Sequence, residues 1–530
     1  ESLAEELRSG EDTLTAPFIA LKASIEVAET GACANQVTLY GVDDRFTQFF
    51  DSPPVPAGRS GGGTGDPPGR LRFLYANGPL LRTLGATEGE SLILTLPRPS
   101  EIHREFLFGR EETEDRVVRR RVRLGARVAD DAGGRFSFEP NQSIPLIAYV
   151  RLEALQDLLG LDKKVNRVLV GGAAGTSNEV ASSVGSAIRL ADYGLQLVVR
   201  SGVVVLESDQ FLLSESVGAA ARAAADTHTL SATAALTYLA NALVSETASV
   251  PYSTVTAIGS WSDRVSPTPF RSVSGDPVGF PSGETVLLND HAGKRLQIDD
   301  EGELTLRFFE VESDESFRES TIRLVGGSTV AISGLAADRS LTPDFPGLHD
   351  TDNMSDWDAP FPVDFSSIGE SDEAYWDQFG PTPKAFISLE KGQALWSSRF
   401  GTLTSVRFDV PSGSDASSLS AVIEKEILSR LSPEGQGIRV NAIRDDGLEA
   451  AKGATDFRGL FFGFSMFLVV SGLAMVSQLF KLGIEDRRSE VGVLKAIGFS
   501  TGRVRRRLIG EGFILCAAGA FIGVAGAVGY

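Results

Sequence analysis

The sequence predicts an α+β protein: a large, duplicated mixed α/β domain outside a membrane, followed by membrane-spanning α-helices. Three observations carry this. Two charge-free stretches lie near the C-terminus, a strongly basic stretch separates them, and short motifs recur in order through the residues before them.

The apolar stretches come first. Residues 459–480, GLFFGFSMFLVVSGLAMVSQLF, hold 22 residues without a charge. At about 1.5 Å per residue they reach about 33 Å, close to the ~30 Å hydrocarbon core of a bilayer. Residues 512–530 are also uncharged. A rival uncharged run, Thr227 to Ser245, contains His228, Asn241 and several hydroxyl residues, and reads as a soluble segment. Between the two apolar stretches, residues 481–507 carry eight basic and three acidic side chains, a net of +5 in a chain whose total is −20. Dense Lys and Arg in a short loop beside membrane spans mark the cytoplasmic side. Residues 1–457 are therefore expected to face outward, in a cell membrane crossed more than once. The sequence begins at Glu1 with no apolar segment ahead of the outer domain, and it stops at Tyr530. It reads as a fragment of a longer protein.

The repeats divide the outer part. Val37–Gly41 (VTLYG) resembles Val255–Gly259 (VTAIG), and FLYANGPLLRTLG from Phe73 resembles TVLLNDHAGKRLQ from Thr285, keeping Asn77 at Asn289 and Leu84 at Leu296. Glu88–Glu90 matches Glu301–Glu303, and AYVRLEALQDLLG from Ala148 matches AFISLEKGQALWS from Ala385. The offset between copies rises from 213 to 237 because the second copy carries an insertion, roughly residues 343–380, rich in Pro, Asp and Trp. The expected organisation is copy one over 1–210, copy two over 211–446, a stalk and transmembrane helix over 447–480, a cytoplasmic loop over 481–507, and a truncated transmembrane helix over 508–530. Short β-rich runs such as VTLYGV and VTAIGS predict strands. The stretches after Asn77 and Asn289, LEALQDLLG, and Ser418–Leu431 have helical length or spacing, the last with its counterpart near Glu179–Leu190. Gly447 to Phe480 is expected to form one continuous helix whose outer part stands clear of the bilayer.

Composition excludes several classes. With 42 % hydrophobic and 23 % charged residues the chain is globular, of about three or four domains on a ~150-residue prior. The acidic balance argues against nucleic acid as a partner. Two cysteines rule out a disulfide scaffold and a Cys-rich zinc site. The four histidines, His103, His228, His291 and His349, have no neighbours at ligand spacing, so no metal is expected. No phosphate-binding loop, H-E-x-x-H or G-x-S-x-G motif is present. The Gly/Pro-rich stretch Ser52–Arg70 reads as a surface loop, and Asp350–Asp358 as a solvated acidic loop. Nothing points to an enzyme.

Gly492 and Gly498 bracket a short amphipathic helix in the basic loop, with Val491, Leu494 and Ile497 expected to face a partner or the membrane surface. Glu490 and Lys495 are placed to meet a partner's charges, while Arg503 and Arg505–Arg507 suit anionic headgroups. Gly459-x-x-x-Gly463 and Gly519-x-x-x-Gly523 have the spacing that lets membrane helices pack closely.

IEDRRSEVGVLKAIGFSTGRVRRRLIGEGFIL, from Ile484, resembles the FtsX-like permease family of ABC transporters. The family pattern R-x-x-E-[IV]-G-[LV]-L-K-A-[IL]-G appears as Arg487, Glu490, Val491, Gly492, Leu494, Lys495, Ala496, Ile497 and Gly498, followed by Glu511-Gly512 at the next helix. The outer domain is more loosely similar to that of MacB-like permeases, in placement and α/β texture. The resemblance implies a permease subunit whose loop couples a separate cytoplasmic ATPase to the outer domain, with ATP bound on that other subunit and two permease units per complex. It implies transport or mechanotransmission; the alternative is a membrane-anchored module that controls an extracytoplasmic enzyme.

Overall fold

The strand-rich motifs build two closed sheets. The computed structural model describes residues 1–530 except 9–12, 57–69, 100–106, 108–116, 139–143, 173–175, 201, 262–267, 299–300, 313–315, 346–350, 352, 358, 360, 452–456 and 530. His103, His349, most of the Gly/Pro-rich stretch and three residues of the acidic insertion loop (350, 352, 358) lie outside the described residues. The described chain forms two units, Glu1–Ala442 and Ile443–Tyr530.

The first unit begins with α1 (Ser2–Glu6), β1 (Thr13–Val27), β2 (Cys33–Val42), α2 (Asp44–Thr47), β3 (Phe73–Ala76), α3 (Gly78–Leu84), β4 (Ser91–Pro97), β5 (Val117–Leu124), β6 (Ile147–Arg151), α4 (Leu152–Leu159), β7 (Arg167–Gly172) and α5 (Ser177–Ala187). It continues with β8 (Leu195–Arg200), β9 (Val203–Ser208), α6 (Glu215–Thr227), β10 (Ala232–Val244), β11 (Ser249–Ser260), β12 (Phe270–Arg271), β13 (Pro277–Val278), β14 (Thr285–Leu288), α7 (Asp290–Leu296), β15 (Glu303–Val311) and β16 (Phe317–Gly326). It ends with α8 (Glu370–Phe379), β17 (Ala385–Ser388), α9 (Leu389–Trp396), β18 (Ser405–Asp409) and α10 (Ala416–Arg430).

The first sheet runs β2-β6-β3-β5-β4-β1-β7 and is closed by a β1–β2 pairing; the second runs β11-β17-β14-β16-β15-β10-β18-β9-β8 and is closed by β10–β11. Six strands make each closed ring. Each of the seven pairings β1–β2, β2–β6, β3–β6, β3–β5, β4–β5, β1–β4 and β1–β7 has a counterpart of the same sense in the second sheet. Closure depends on one long strand reaching several neighbours. Each sheet carries one register shift beside its long strand, but in different pairings: β1–β2 between Ala23 and Ile25, with the extra residue on β2, and β10–β15 between Ala240 and Ala242, with the extra residue on β10. Such a bulge bends a strand and raises its twist.

Alternation sets the inward faces. In β4 the residues Leu92, Leu94 and Leu96 are buried, and in β15 Leu304, Leu306 and Phe308 are. Asn77 and Asn289, both fully buried, cap the helices that follow: Oδ1 of Asn77 accepts from Leu80 N at 3.1 Å, and Oδ1 of Asn289 from Ala292 N at 2.9 Å. α4 and α9 lie on β2 and β11 at close approach. A Cβ on Gly41 would stand 2.6 Å from Leu155 Cδ2, whereas in the second half the glycine is on the helix, and a Cβ on Gly392 would stand 2.0 Å from Ala257 Cβ.

Two details differ from the sequence reading. Tyr40 pairs with Tyr149 and Thr256 with Phe386, so β2 and β11 correspond two residues away from the VTLYG/VTAIG match. A slip of two keeps the same side chains inward, so pattern alone does not detect it. Strands β8 and β9, before residue 210, pair into the second sheet through β9–β18. The rival uncharged run becomes the end of α6 and strand β10.

The second unit holds α11 (Ile443–Ala451), α12 (Phe457–Asp486), α13 (Arg488–Ala496) and α14 (Thr501–Gly529). Ala454 and Asp456, within the expected continuous stalk helix, lie outside the described residues.

Candidate docking loop

α12 and α14 are long and apolar enough to cross a membrane, over Arg458–Asp486 and Thr501–Gly529. Their apolar side chains are not a protein core: Phe467 is 70 % exposed and Phe521 77 %. Such surfaces need lipid or another helix around them.

The loop is a helix held between these two. α12 ends at Asp486, the backbone turns at Arg487, and α13 starts at once, with Val491 N–H donating to Arg487 O at 3.1 Å. α13 ends because Gly498 takes φ +95°, a left-handed conformation that glycine adopts without Cβ strain. Gly498 N–H donates to Lys495 O at 3.1 Å and Phe499 N–H to Leu494 O at 3.0 Å, the paired bonds of a glycine-terminated helix end. The K-A-I-G run is thus a stop signal in physical terms. Ser500 O then accepts from Arg503 and Val504 N–H, which opens the first turn of α14.

Charge ties the loop to α14. Arg487 Nη1 donates to Glu511 Oε2 at 2.9 Å, and Arg507 Nε stands 3.5 Å from Glu511 Oε1. Glu511 therefore pairs with two arginines, one oxygen to each. Glu490 and Lys495 are exposed and make no ion pair among the described residues. α12 and α14 meet closely at Gly512, where a Cβ would stand 2.8 Å from Phe480 Cε1.

The exposed face differs from the expected one. Val491 and Leu494 are half-buried, not presented outward; Ile497 is exposed as expected, and so is Val493, at 67 % and 61 %. At 100° per residue, Gly492, Val493, Ala496 and Ile497 form a single stripe, all exposed. Sequence reading missed Val493, whose signal is its i, i+4 relation to Ile497. Gly492 lies inside α13 and does not bracket it, and a Cβ there would meet nothing within 4 Å. Gly463, Gly519 and Gly523 likewise face open space, so none of these three packs against another helix among the described residues; Gly459 is exposed.

Residues 461–530 match the family model described as FtsX-like permease C-terminal. No curated protein matches the chain. Permeases of this family are membrane components of ABC transporters; they partner ABC ATPases and are not enzymes themselves. The two long apolar helices and the loop between them are thus the part of the chain that is similar to FtsX-like permeases.

Proposed function

We propose that the chain is a permease subunit that couples a separate cytoplasmic ATPase to its large outer domain, by transport or by mechanotransmission. The observation that carries the reading is the loop between α12 and α14. It combines the family match with a short helix, a Glu490 and a Lys495 that are exposed and make no ion pair among the described residues, and an exposed stripe at Gly492, Val493, Ala496 and Ile497. In this reading Arg487 anchors the loop to α14, Gly498 ends the helix, and the stripe meets the ATPase. Residues 1–457 face outward and 481–507 lie in the cytoplasm of a plasma or inner membrane. Gly463, Gly519 and Gly523 face open space and are placed to receive a second permease unit, with Gly459 one turn before Gly463, in keeping with a dimer.

The outer domain is read as MacB-like and as two copies of one α/β unit, over about 1–210 and 211–446. The seven matched strand pairings support the duplication. The test is co-purification. The complete gene product, extracted gently from its host, brings a Walker-motif ATPase with it. If none accompanies a folded chain, the reading fails and an anchored regulatory module replaces it. Two glycines inserted at Ala454 separate ATP hydrolysis from the outer domain's function; unchanged function refutes the mechanical part.

A further inference from the structure

The insertion in the second half builds a cavity around a lysine. Its walls include Tyr252, Phe345, Trp357, Tyr375, Trp376 and Lys384, four of these six from residues 343–380. With its open mouth it measures about 310 Å³, and its interior is about the size of one water.

Lys384 is out of place there. Asn289 N–H donates to Lys384 O, and Asn77 N–H donates to Ile147 O, both at 3.0 Å. The two positions therefore correspond, and the first half fills its own with a fully buried isoleucine. Lys384 is 4 % exposed, and its Nζ has no hydrogen-bond acceptor among the described residues. Its nearest carboxylate oxygen, Asp372 Oδ1, is 3.9 Å away, and Asp372 Oδ2 is already held by Arg295 at 2.6 Å and by Gly369 N–H at 3.1 Å. Two cations thus share one carboxylate. A second buried donor, Trp357 Nε1, also lacks an acceptor among the described residues. Buried donors are ordinarily satisfied, and a buried cation with half a partner is costly.

We propose that this cavity holds a small anionic group, with Lys384 Nζ and Trp357 Nε1 as its donors. Asp372 Oδ1 and His291 Nε2, 3.9 Å apart, also lack hydrogen bonds among the described residues, but of the cavity's own walls it is Lys384 Nζ and Trp357 Nε1 that lack acceptors, and the one carboxylate leaves a positive charge uncompensated. A cation would meet the lysine's repulsion, and a neutral molecule would leave the surplus charge standing. The interior takes a halide ion or the leading oxygen of a carboxylate; the aromatic rings at the mouth offer a surface for the apolar body of an organic acid. The site is independent of the ATPase reading.

The test uses the full chain in detergent, followed by thermal unfolding and tryptophan fluorescence at constant ionic strength. The probes are chloride exchanged against gluconate, then phenylacetate, with phenylethylammonium as the cationic counterpart. The native chain responds saturably to chloride or to phenylacetate and not to phenylethylammonium. A response to chloride identifies an inorganic ion, and a response to phenylacetate alone identifies an organic carboxylate. Lys384→Met removes the response and melts higher than the native chain without anion. Trp357→Phe keeps the ring and weakens binding at least fivefold, and it decides the matter if Lys384→Met does not fold. No saturable response to either anion, an equal response to phenylethylammonium, or native affinity in both variants overturns the proposal.

Discussion

Gly498→Ala and Gly492→Ala should have opposite effects, although both replace a glycine of the same short loop. Gly498 sits at φ +95° with no atom near its Cβ, so the cost of alanine there is conformational. A left-handed residue with a Cβ costs about 1–2 kcal/mol, a factor of about 5–30 in a local opening equilibrium. Gly492 is in the middle of α13 and also in open space, where alanine gains about 1 kcal/mol of helix propensity. Hydrogen exchange reads both. The amides of Gly498 and Phe499, which donate to Lys495 O and Leu494 O, exchange about 5–30-fold faster in Gly498→Ala. The amides of α13 exchange more slowly in Gly492→Ala. Gly492→Leu keeps the helix and loses the ATPase, because the bulk projects from the docking stripe. Native exchange at Gly498 and Phe499 in Gly498→Ala refutes the helix-end argument. Full ATPase retention by Gly492→Leu refutes the assignment of the stripe.

Other outcomes follow from the outer domain. Asn77→Ala leaves Leu80 N, Ile147 N, Gly134 O and Pro145 O without their side-chain partner, and at about 1 kcal/mol per bond it costs about 3–4 kcal/mol, read as faster proteolysis of the first sheet. Asn289→Ala, which loses Ala292 N, Tyr375 Oη and Pro383 O, has a similar effect on the second. Burial pushes the Lys384 amine down to about 8, against attraction from Asp372 and with repulsion from Arg295. The unfolded chain binds more protons between pH 8 and 10.5, so native stability rises over that window and Lys384→Met, worth about 3 kcal/mol at pH 7, removes the rise. Arg295, His291, Asp372 and Tyr375 surround the amine, and anion binding weakens as pH passes about 8. Burial raises the Asp372 carboxyl, but His291, Lys384, Gly369 and Arg295 outweigh it and hold it at about 2. Its contribution, about 2 kcal/mol, is present above pH 3.8 and is lost as pH falls toward 2; a melting profile of Asp372→Asn that is flat over this range confirms it.

Much of this was legible from local pattern. Charge-free length located α12 and α14, since lipid permits no frequent charges along a span. The strands and helices around Asn77 and Asn289 followed from short runs whose period is local. Features made by distant residues were not legible. The two-residue slip between β2 and β11 is invisible to alternation. β1 and β10 close their sheets through pairings with three strands each, which no local signal specifies. The Lys384 cavity draws on residues from Leu239 in β10 to Lys384 just before β17, and its only trace in the sequence is a lysine ahead of the apolar strand AFIS. Val491 and Leu494 read as outward because the neighbouring helices that half-cover them are not visible from the loop alone.

The docking face itself is the most direct point of test. With Cys33 and Cys516 replaced by serine, single cysteines at Val491, Val493, Leu494 and Ile497 are cross-linked in native membranes. The account predicts that Val493→Cys and Ile497→Cys capture the ATPase subunit and that Val491→Cys and Leu494→Cys do not. Capture from positions 491 and 494 alone, or from none while the ATPase still co-purifies, contradicts it.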